Sequence, residues 1–111
     1  MTEYYLAVDI GASSGRHILG HLEDGRMVLE EVYRFPNGMK EIHGHLCWDT
    51  DELFSNIKEG MKRCKELGKL PVSMGIDTWA VDYVFLDHED RVVGDTVGYR
   101  DNRTAGMDTE V

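Results

Sequence analysis

The chain has 111 residues, of which 41% are hydrophobic and 30% are charged, a balance typical of one globular domain with its own core. A net charge of −9, from 21 acidic and 12 basic residues, argues against a nucleic-acid partner, which requires a basic surface. No apolar run approaches the ~20 residues that span a membrane, and the first residues lack the positive flank and apolar core of a secretory leader. We therefore expect a cytoplasmic protein without membrane contact.

Three strands are predicted in the first third of the chain. Residues 4–10 are apolar on both faces until Asp9, which predicts a central strand covered on both sides. Residues 16–22 and 27–35 are two further strand-like runs, and the Asp24-Gly25 pair between them is a strong hairpin signal. These patterns predict an antiparallel meander.

One long helix is predicted in the middle of the chain. An irregular segment through Gly44 and a short extended piece at 46–48 precede it, and Asp49 and Glu52 have the spacing of a capping box. Gly68 is placed to end the helix. The predicted apolar stripe recurs every three or four residues and consists of Leu53, Ile57, Met61, Cys64 and Leu67.

The remaining elements are short, apart from one strand. Residues 71–77 predict a second buried strand that ends, like the first, in a carboxylate. Residues 81–86 predict a strand, a polar turn follows, and residues 92–93 begin a return strand, with a polar tail from Tyr99 onward.

This order of elements predicts an α/β fold with a mixed, ribonuclease H-like sheet. The antiparallel meander is followed by a crossover helix and further strands. A right-handed crossover would bring the ends of strands 4–10 and 71–77 together at one cleft, so that Asp9 and Asp77 face one site.

The turn after the first strand has the composition of a phosphate-binding hairpin. Its glycines allow backbone amides to approach an anion and permit positive φ angles, while its serines and arginine add hydroxyl donors and a positive charge. Asp9 could hold a hydrated divalent ion against the same phosphates. The predicted nucleotide-binding residues are Asp9, Gly11, Ala12, Ser13, Ser14, Gly15 and Arg16. The alternative is a tight hairpin that binds nothing.

Two other groups of residues have weaker functional interpretations. His43, His45 and Cys47 share one face of an extended segment, but they lack a fourth zinc ligand nearby, and a surface loop leading into a short strand is preferred. Cys47 and Cys64 have no redox spacing and are expected to be buried reduced thiols.

Three motifs carry a resemblance to a known family. Residues 8–16, 75–83 and 99–104, supported by Cys47-Trp48-Asp49, resemble the N-terminal part of the FGGY carbohydrate kinases, and in particular those members that act on L-rhamnulose. The resemblance covers nearly the whole chain from Tyr5 onward, in order and at plausible spacing.

The resemblance implies a fold of the actin and hexokinase type, in which two ribonuclease H-like domains close over ATP and a sugar. Residues 1–111 would be an incomplete first domain, and the second domain would be absent from this chain. The implied reaction transfers the γ-phosphate of ATP to the 1-hydroxyl of L-rhamnulose with Mg²⁺ held near Asp9. Residues 12–16 would contact the phosphates. The implied sugar-site residues are Asp77, Thr78, Trp79, Ala80, Asp82, Arg100 and Asp101, the last two shaping the loop.

Two departures from the family pattern keep alternatives open. The family's general base and adenine contacts would lie beyond Val111, so the 111-residue chain alone is expected to be inactive. Ala80 stands where the family usually has glycine. The alternatives are a related kinase for another ketose or polyol, and a non-catalytic ribonuclease H-like binding module. Individual residues also have alternative interpretations without a role in sugar binding. Asp77 and Asp82 could be a strand-end cap and an exposed strand carboxylate, and Trp79 could be part of the core. An exposed apolar sheet surface would favour self-association.

Overall fold

The computed structural model describes residues 1–103 and 105–107, and Thr104 of the third motif lies outside the described residues. The chain divides into two compact units, the first comprising residues 1–38 and 51–79 and the second residues 39–50 and those from 80 onward. The elements, in chain order, are β1 (Tyr4–Ile10), β2 (Ser14–Glu23), β3 (Arg26–Pro36), β4 (Lys40–Ile42), β5 (His45–Trp48), α1 (Thr50–Glu66), β6 (Pro71–Asp77), β7 (Phe85–Leu86), β8 (Val92–Val93) and β9 (Thr96–Val97).

The first unit contains a four-stranded mixed sheet in the order β3-β2-β1-β6. Strands β1, β2 and β3 form the predicted antiparallel meander, and β6 pairs parallel to β1 after the crossover through α1. The β2–β3 turn has positive φ at Asp24 (52°) and Gly25 (77°), as a two-residue hairpin of type I′ requires.

One face of this sheet forms the core of the first unit. Leu6, Val8 and Ile10 of β1 are buried with Leu19 and Phe35, and Cys64 of α1 belongs to the same cluster. Alternate residues of β1, among them Tyr5 and Ala7, are exposed on the opposite face. The expectation that β1 is covered on both sides is therefore wrong for the described residues, since α1 packs on one face only.

Helix α1 begins and ends where its local signals place it. Asp49 directly precedes it, and Gly68 adopts φ 71°. The amide of Gly68 donates to the Lys65 carbonyl and that of Lys69 to the Cys64 carbonyl, both at 3.0 Å, which is the Schellman arrangement.

The predicted apolar stripe of α1 is wrong at one position. Met61 is exposed, whereas its neighbour Gly60 is buried and lies against His17. The face toward the sheet therefore runs through Leu53, Ile57, Gly60 and Cys64. A glycine contributes no hydrophobicity to a sequence pattern, so the pattern assigned this position to its larger neighbour.

Strand β6 has the predicted bounds but not the predicted burial. Val72, Met74 and Ile76 are all exposed, because β6 is the last strand of the described sheet and nothing among the described residues covers it.

The second unit contains two small sheets, one in the order β4-β5-β9 and the other formed by β7 and β8. The segment expected to be irregular through Gly44 instead forms the β4–β5 hairpin, whose turn has positive φ at His43 (49°) and Gly44 (81°). The predicted strand 81–86 is reduced to Phe85–Leu86, and Val81, with φ 72°, lies outside the extended region. Strand β9 was not predicted.

Cys47 and Cys64 are buried free thiols, as expected. Burial raises the pKa of both thiols, so that they remain protonated. No helix among the described residues is long and apolar enough to cross a membrane.

Candidate functional site

The glycine hairpin connects β1 to β2 in a tight turn. The Gly11 amide donates to the Ser14 carbonyl at 2.9 Å, and Asn37 closes the turn by donating from Nδ2 to the Gly11 carbonyl and from its backbone amide to the Ser13 carbonyl, each at 2.9 Å. Asn37 follows β3 and was not singled out from the sequence. The hairpin is thus held from both sides.

The hairpin retains donors for an anion. Among the described residues, the amides of Ala12 and Ser13 form no backbone hydrogen bond across the turn, and Ser13 is exposed. Two adjacent amides and two hydroxyls, those of Ser13 and Ser14, are the kind of donors that bind phosphate oxygens.

Neither hairpin glycine adopts the predicted positive φ. Steric constraints explain instead why glycine occupies these two positions. A Cβ at Gly11 would lie 3.3 Å from the Ser14 carbonyl oxygen, tighter than ordinary contact. Gly15 is buried in β2, where a Cβ would lie 2.1 Å from the Phe35 ring. Gly15 therefore serves packing beneath Phe35, and the expectation of a conformational role is wrong for both glycines.

Charged residues form a row across the sheet at the level of the hairpin. Asp9 is the register partner of Arg16 on β2 and of Asp77 on β6, and Arg16 is in turn the partner of Arg34 on β3. Because register partners project to the same face of a sheet, this row lies on the face opposite the core. The predicted juxtaposition of Asp9 and Asp77 is confirmed, and Arg34 is an unpredicted member.

Asp9 and Arg16 form an ion pair. Arg16 Nε and Nη2 lie 3.2 and 3.1 Å from Asp9 Oδ2, with both side chains 45% exposed. Such a pair stabilises the fold little. Arg16 contacts Oδ2 only, so the second carboxylate oxygen of Asp9, Oδ1, can bind a cation.

The predicted sugar-site residues are distributed over the two units. Asp77 and Thr78 are exposed in the first unit, where the partly buried Trp79 packs against the core cluster. The other four residues belong to the second unit. Ala80 lacks a positive φ, so its methyl group causes no backbone strain.

Asp82 is held by Trp48, a residue that was not predicted to belong to the site. The indole Nε1 of Trp48 donates to Asp82 Oδ2 at 2.6 Å. Trp48 was noted only as part of the Cys-Trp-Asp motif, and no local signal indicates a partner 34 positions away.

Asp101 also has protein partners rather than an open carboxylate. It accepts hydrogen bonds from the amides of Leu46 (2.7 Å) and Arg103 (2.9 Å) and from Nδ1 of His45 (3.2 Å), and its side chain is 4% exposed. The bond from the Leu46 amide, the largest cause, holds the pKa of Asp101 below its usual range against the effect of burial. This arrangement fits the implied role of shaping a loop. Arg100 is exposed and donates to the Tyr99 hydroxyl at 3.1 Å.

The histidines considered for zinc are engaged by carboxylates. His43 Nδ1 lies 2.8 Å from Asp95, and His45 bonds Asp101. No group of three or more metal-binding side chains is assembled among the described residues.

With the fold and these contacts established, the comparison with known proteins identifies the family. Residues 4–111 match the N-terminal domain of the FGGY family of carbohydrate kinases. The chain belongs to this family, as its three motifs predicted.

The similar curated proteins are rhamnulokinases. The chain is 56% identical over 108 residues to the rhamnulokinase of Halalkalibacterium halodurans, covering 97% of this chain and 23% of that protein. It is 50% identical over 111 residues to the rhamnulokinase of Oceanobacillus iheyensis, covering 100% of this chain and 24% of that protein. The chain thus spans about a quarter of the length of these relatives.

Solved structures show the same fold. A gluconate kinase from Lactobacillus acidophilus matches with a TM-score of 0.74 at 14% sequence identity, and the match covers 99% of this chain and 22% of that chain. A ligand-bound xylulose kinase from the same organism matches with a TM-score of 0.70 at 14% sequence identity, covering 97% of this chain and 22% of that chain. The predicted sugar-kinase fold is confirmed.

Proposed function

We propose that this chain is the N-terminal, ATP-phosphate- and sugar-binding portion of a cytoplasmic kinase that transfers the γ-phosphate of ATP to the 1-hydroxyl of L-rhamnulose. The observation that carries the proposal is the 56% identity to a rhamnulokinase over 97% of the chain. The general base and the adenine contacts would come from the part of the relatives' length that this chain does not span.

The hairpin has the donor set that triphosphate binding needs. The amides and hydroxyls between Ala12 and Ser14 would bind phosphate oxygens, and Arg16 would exchange part of its interaction with Asp9 for phosphate. Gly11 and Gly15 would allow the tight turn and its packing. This division of roles agrees with the exposed position of Ser13 and the buried position of Gly15.

The residues present fit a magnesium ion. Asp9 and Asp77 bring two carboxylates side by side at the ends of adjacent strands, and carboxylate oxygens are ligands that Mg²⁺ prefers. When bound, the ion would neutralise phosphate charge. Asp9 would hold it, directly or through water, beside the hairpin.

The sugar-binding part of the proposal concerns the segment after β6. Thr78, Trp79, Ala80 and Asp82 would supply hydroxyl, aromatic and carboxylate groups for a ketose. Asp101 and Arg100 would shape this segment.

The proposal is tested by measuring phosphorylation in the full-length kinase that contains this chain. We expect ATP- and Mg²⁺-dependent turnover of L-rhamnulose with a higher kcat/KM than for xylulose, gluconate or glycerol. Turnover of only one of the other substrates would overturn the substrate and favour the related-kinase alternative, for which Ala80 in place of glycine is the supporting observation. Absence of turnover with every sugar would favour the binding module. The isolated 111-residue chain should be inactive, and the exposed apolar residues of β6 should promote its self-association.

A further inference from the structure

Trp48 and Asp82 form a short, charge-assisted hydrogen bond within the second unit. Trp48 is 3% exposed, and its single donor, Nε1–H, lies 2.6 Å from a carboxylate oxygen. A buried indole needs a partner for its N–H, and a charged acceptor makes the bond stronger than a neutral one. Replacing Asp82 removes this acceptor from a buried indole N–H, which costs free energy.

The direction of the indole is set by the backbone beside it. Trp48 is the register partner of Thr96, and the amide of Gly98 donates to the Leu46 carbonyl at 2.7 Å. A Cβ at Gly98 would lie 3.0 Å from Trp48 Nε1 and 2.5 Å from Met39 Sδ. Since Gly98 is buried, the absence of a side chain there allows the indole N–H to reach Asp82.

The residue next to Asp82 has an unusual conformation. Val81 adopts φ 72°, which is an outlier for a β-branched side chain. Such strain persists only where the surrounding structure imposes it, and it is concentrated at ligand-binding segments. The hydrogen bond to Asp82 anchors the chain immediately after the strained residue.

We propose that Trp48 is a positioning residue for the sugar-binding segment: its indole N–H fixes Asp82 and thereby holds the backbone of residues 80–82 in the conformation that binds the ketose. This inference rests on the proposed function, because it assumes that this segment contacts the sugar. Trp48 acts through Asp82 and does not touch the substrate.

The test uses Trp48→Phe in the full-length kinase, a change that removes the N–H and keeps an aromatic ring. We expect KM for the sugar to rise about 10- to 100-fold, as for loss of a hydrogen bond to a charged group, with KM for ATP within about twofold of the unchanged enzyme. The matched control is Tyr33→Phe, which removes a hydrogen bond of similar length to Asn56 (2.7 Å) in the first unit and should leave both constants unchanged. An unchanged sugar KM, or equal changes for sugar and ATP, would overturn the proposal.

A double-mutant cycle tests whether Trp48 acts through Asp82. Combining Trp48→Phe with Asp82→Ala should give the sugar kcat/KM of Asp82→Ala alone. Additive losses would show that Trp48 acts by another route and would also overturn the proposal.

A spectroscopic readout separates this inference from the substrate assignment. In ¹⁵N-tryptophan-labelled kinase, the indole N–H resonance that shifts in Asp82→Ala should also shift on saturation with the sugar that the enzyme phosphorylates, whichever sugar that is. If L-rhamnulose is not a substrate but the resonance responds to another sugar, the proposed function fails and the positioning role stands. If the indole resonance does not shift at saturation with the sugar that the enzyme phosphorylates, the positioning role is overturned. If no sugar is phosphorylated, the absence of a shift with every sugar of the panel overturns it. This readout does not require that Trp48→Phe folds.

Discussion

The imidazole of His17 lies in the space that any side chain at position 60 would occupy: a Cβ built on Gly60 falls 2.1 Å from the ring. His17 is completely buried, and its Nε2 lies 3.0 Å from the Ile57 carbonyl oxygen of α1. The ring also makes edge-on contacts with Tyr33 and Phe35. A histidine on the sheet thus fits into a notch that a glycine leaves in the helix, and this contact positions α1.

Gly60→Ala is expected to destabilise the protein even though alanine favours helices. The added methyl group must displace either the His17 ring or the helix, and overpacking of this kind costs about 1–3 kcal/mol, more than the gain in helix propensity of about 1 kcal/mol. Denaturant unfolding of the full-length protein measures the difference. Gly38→Ala, where a Cβ meets nothing within 4 Å, is the control. Equal stability of the two variants would contradict the claim that His17 fills the space beside Gly60.

Stability should fall as the pH drops below about 6.5, the ordinary pKa of histidine. Burial lowers the pKa of His17, with the hydrogen bond to the Ile57 carbonyl opposing it, and Nδ1 has no partner in the described structure. Above this pH both folded and unfolded states carry neutral His17. Below it the unfolded state takes up the proton first, so folding loses up to about 1.4 kcal/mol per pH unit until the folded state also protonates.

Unfolding free energies at pH 5 to 8 check this sign, with His17→Leu as the variant that should lose the dependence. His88, which is exposed, provides the control: His88→Gln should keep the dependence of the unchanged protein. If the unfolding free energy of His17→Leu kept the same pH dependence, that dependence would have to come from groups other than His17.

Gly15→Ala should reduce stability rather than ATP affinity. The methyl group would overlap the Phe35 ring, at a cost of about 2 kcal/mol, whereas Gly15 has no left-handed φ that phosphate binding would exploit. Phe35→Leu creates space, so the double variant should be less destabilised than the sum of the two single changes. Normal stability combined with a raised KM for ATP would instead assign Gly15 to the phosphates.

Asp9→Asn in the full-length kinase should impair use of Mg²⁺-ATP far more than sugar binding. Removing the charge leaves a weaker ligand for the ion, and kcat should fall by about 100-fold or more, while the dissociation constant for the sugar, measured by calorimetry, should stay nearly constant. Asp24→Asn, in an exposed turn with a φ that asparagine tolerates, is the matched control. Comparable losses for nucleotide and sugar would count against the role of Asp9.

Several elements follow from signals that are local in the sequence. Alternating apolar residues, the Asp24-Gly25 turn and the Gly68 stop depend on residues a few positions apart, so β1, α1 and β6 have the predicted positions. The hairpin β4–β5 was missed although its His43-Gly44 turn is also local, because strands of three and four residues contain too little alternation to outweigh the glycine signal.

The sequence by itself determined the order of β1, β2, β3, α1 and β6, the three family motifs and the adjacency of Asp9 and Asp77, since a parallel crossover aligns the ends of β1 and β6. Only the tertiary structure decided which faces are covered and which partners the polar side chains have. Asn37 closes the hairpin from 26 positions away, Trp48 reaches Asp82 across 34, and Asp101 binds the Leu46 amide across 55. The physical reason is that a hydrogen bond of this range depends on where packing places both groups, which no spacing along the chain specifies.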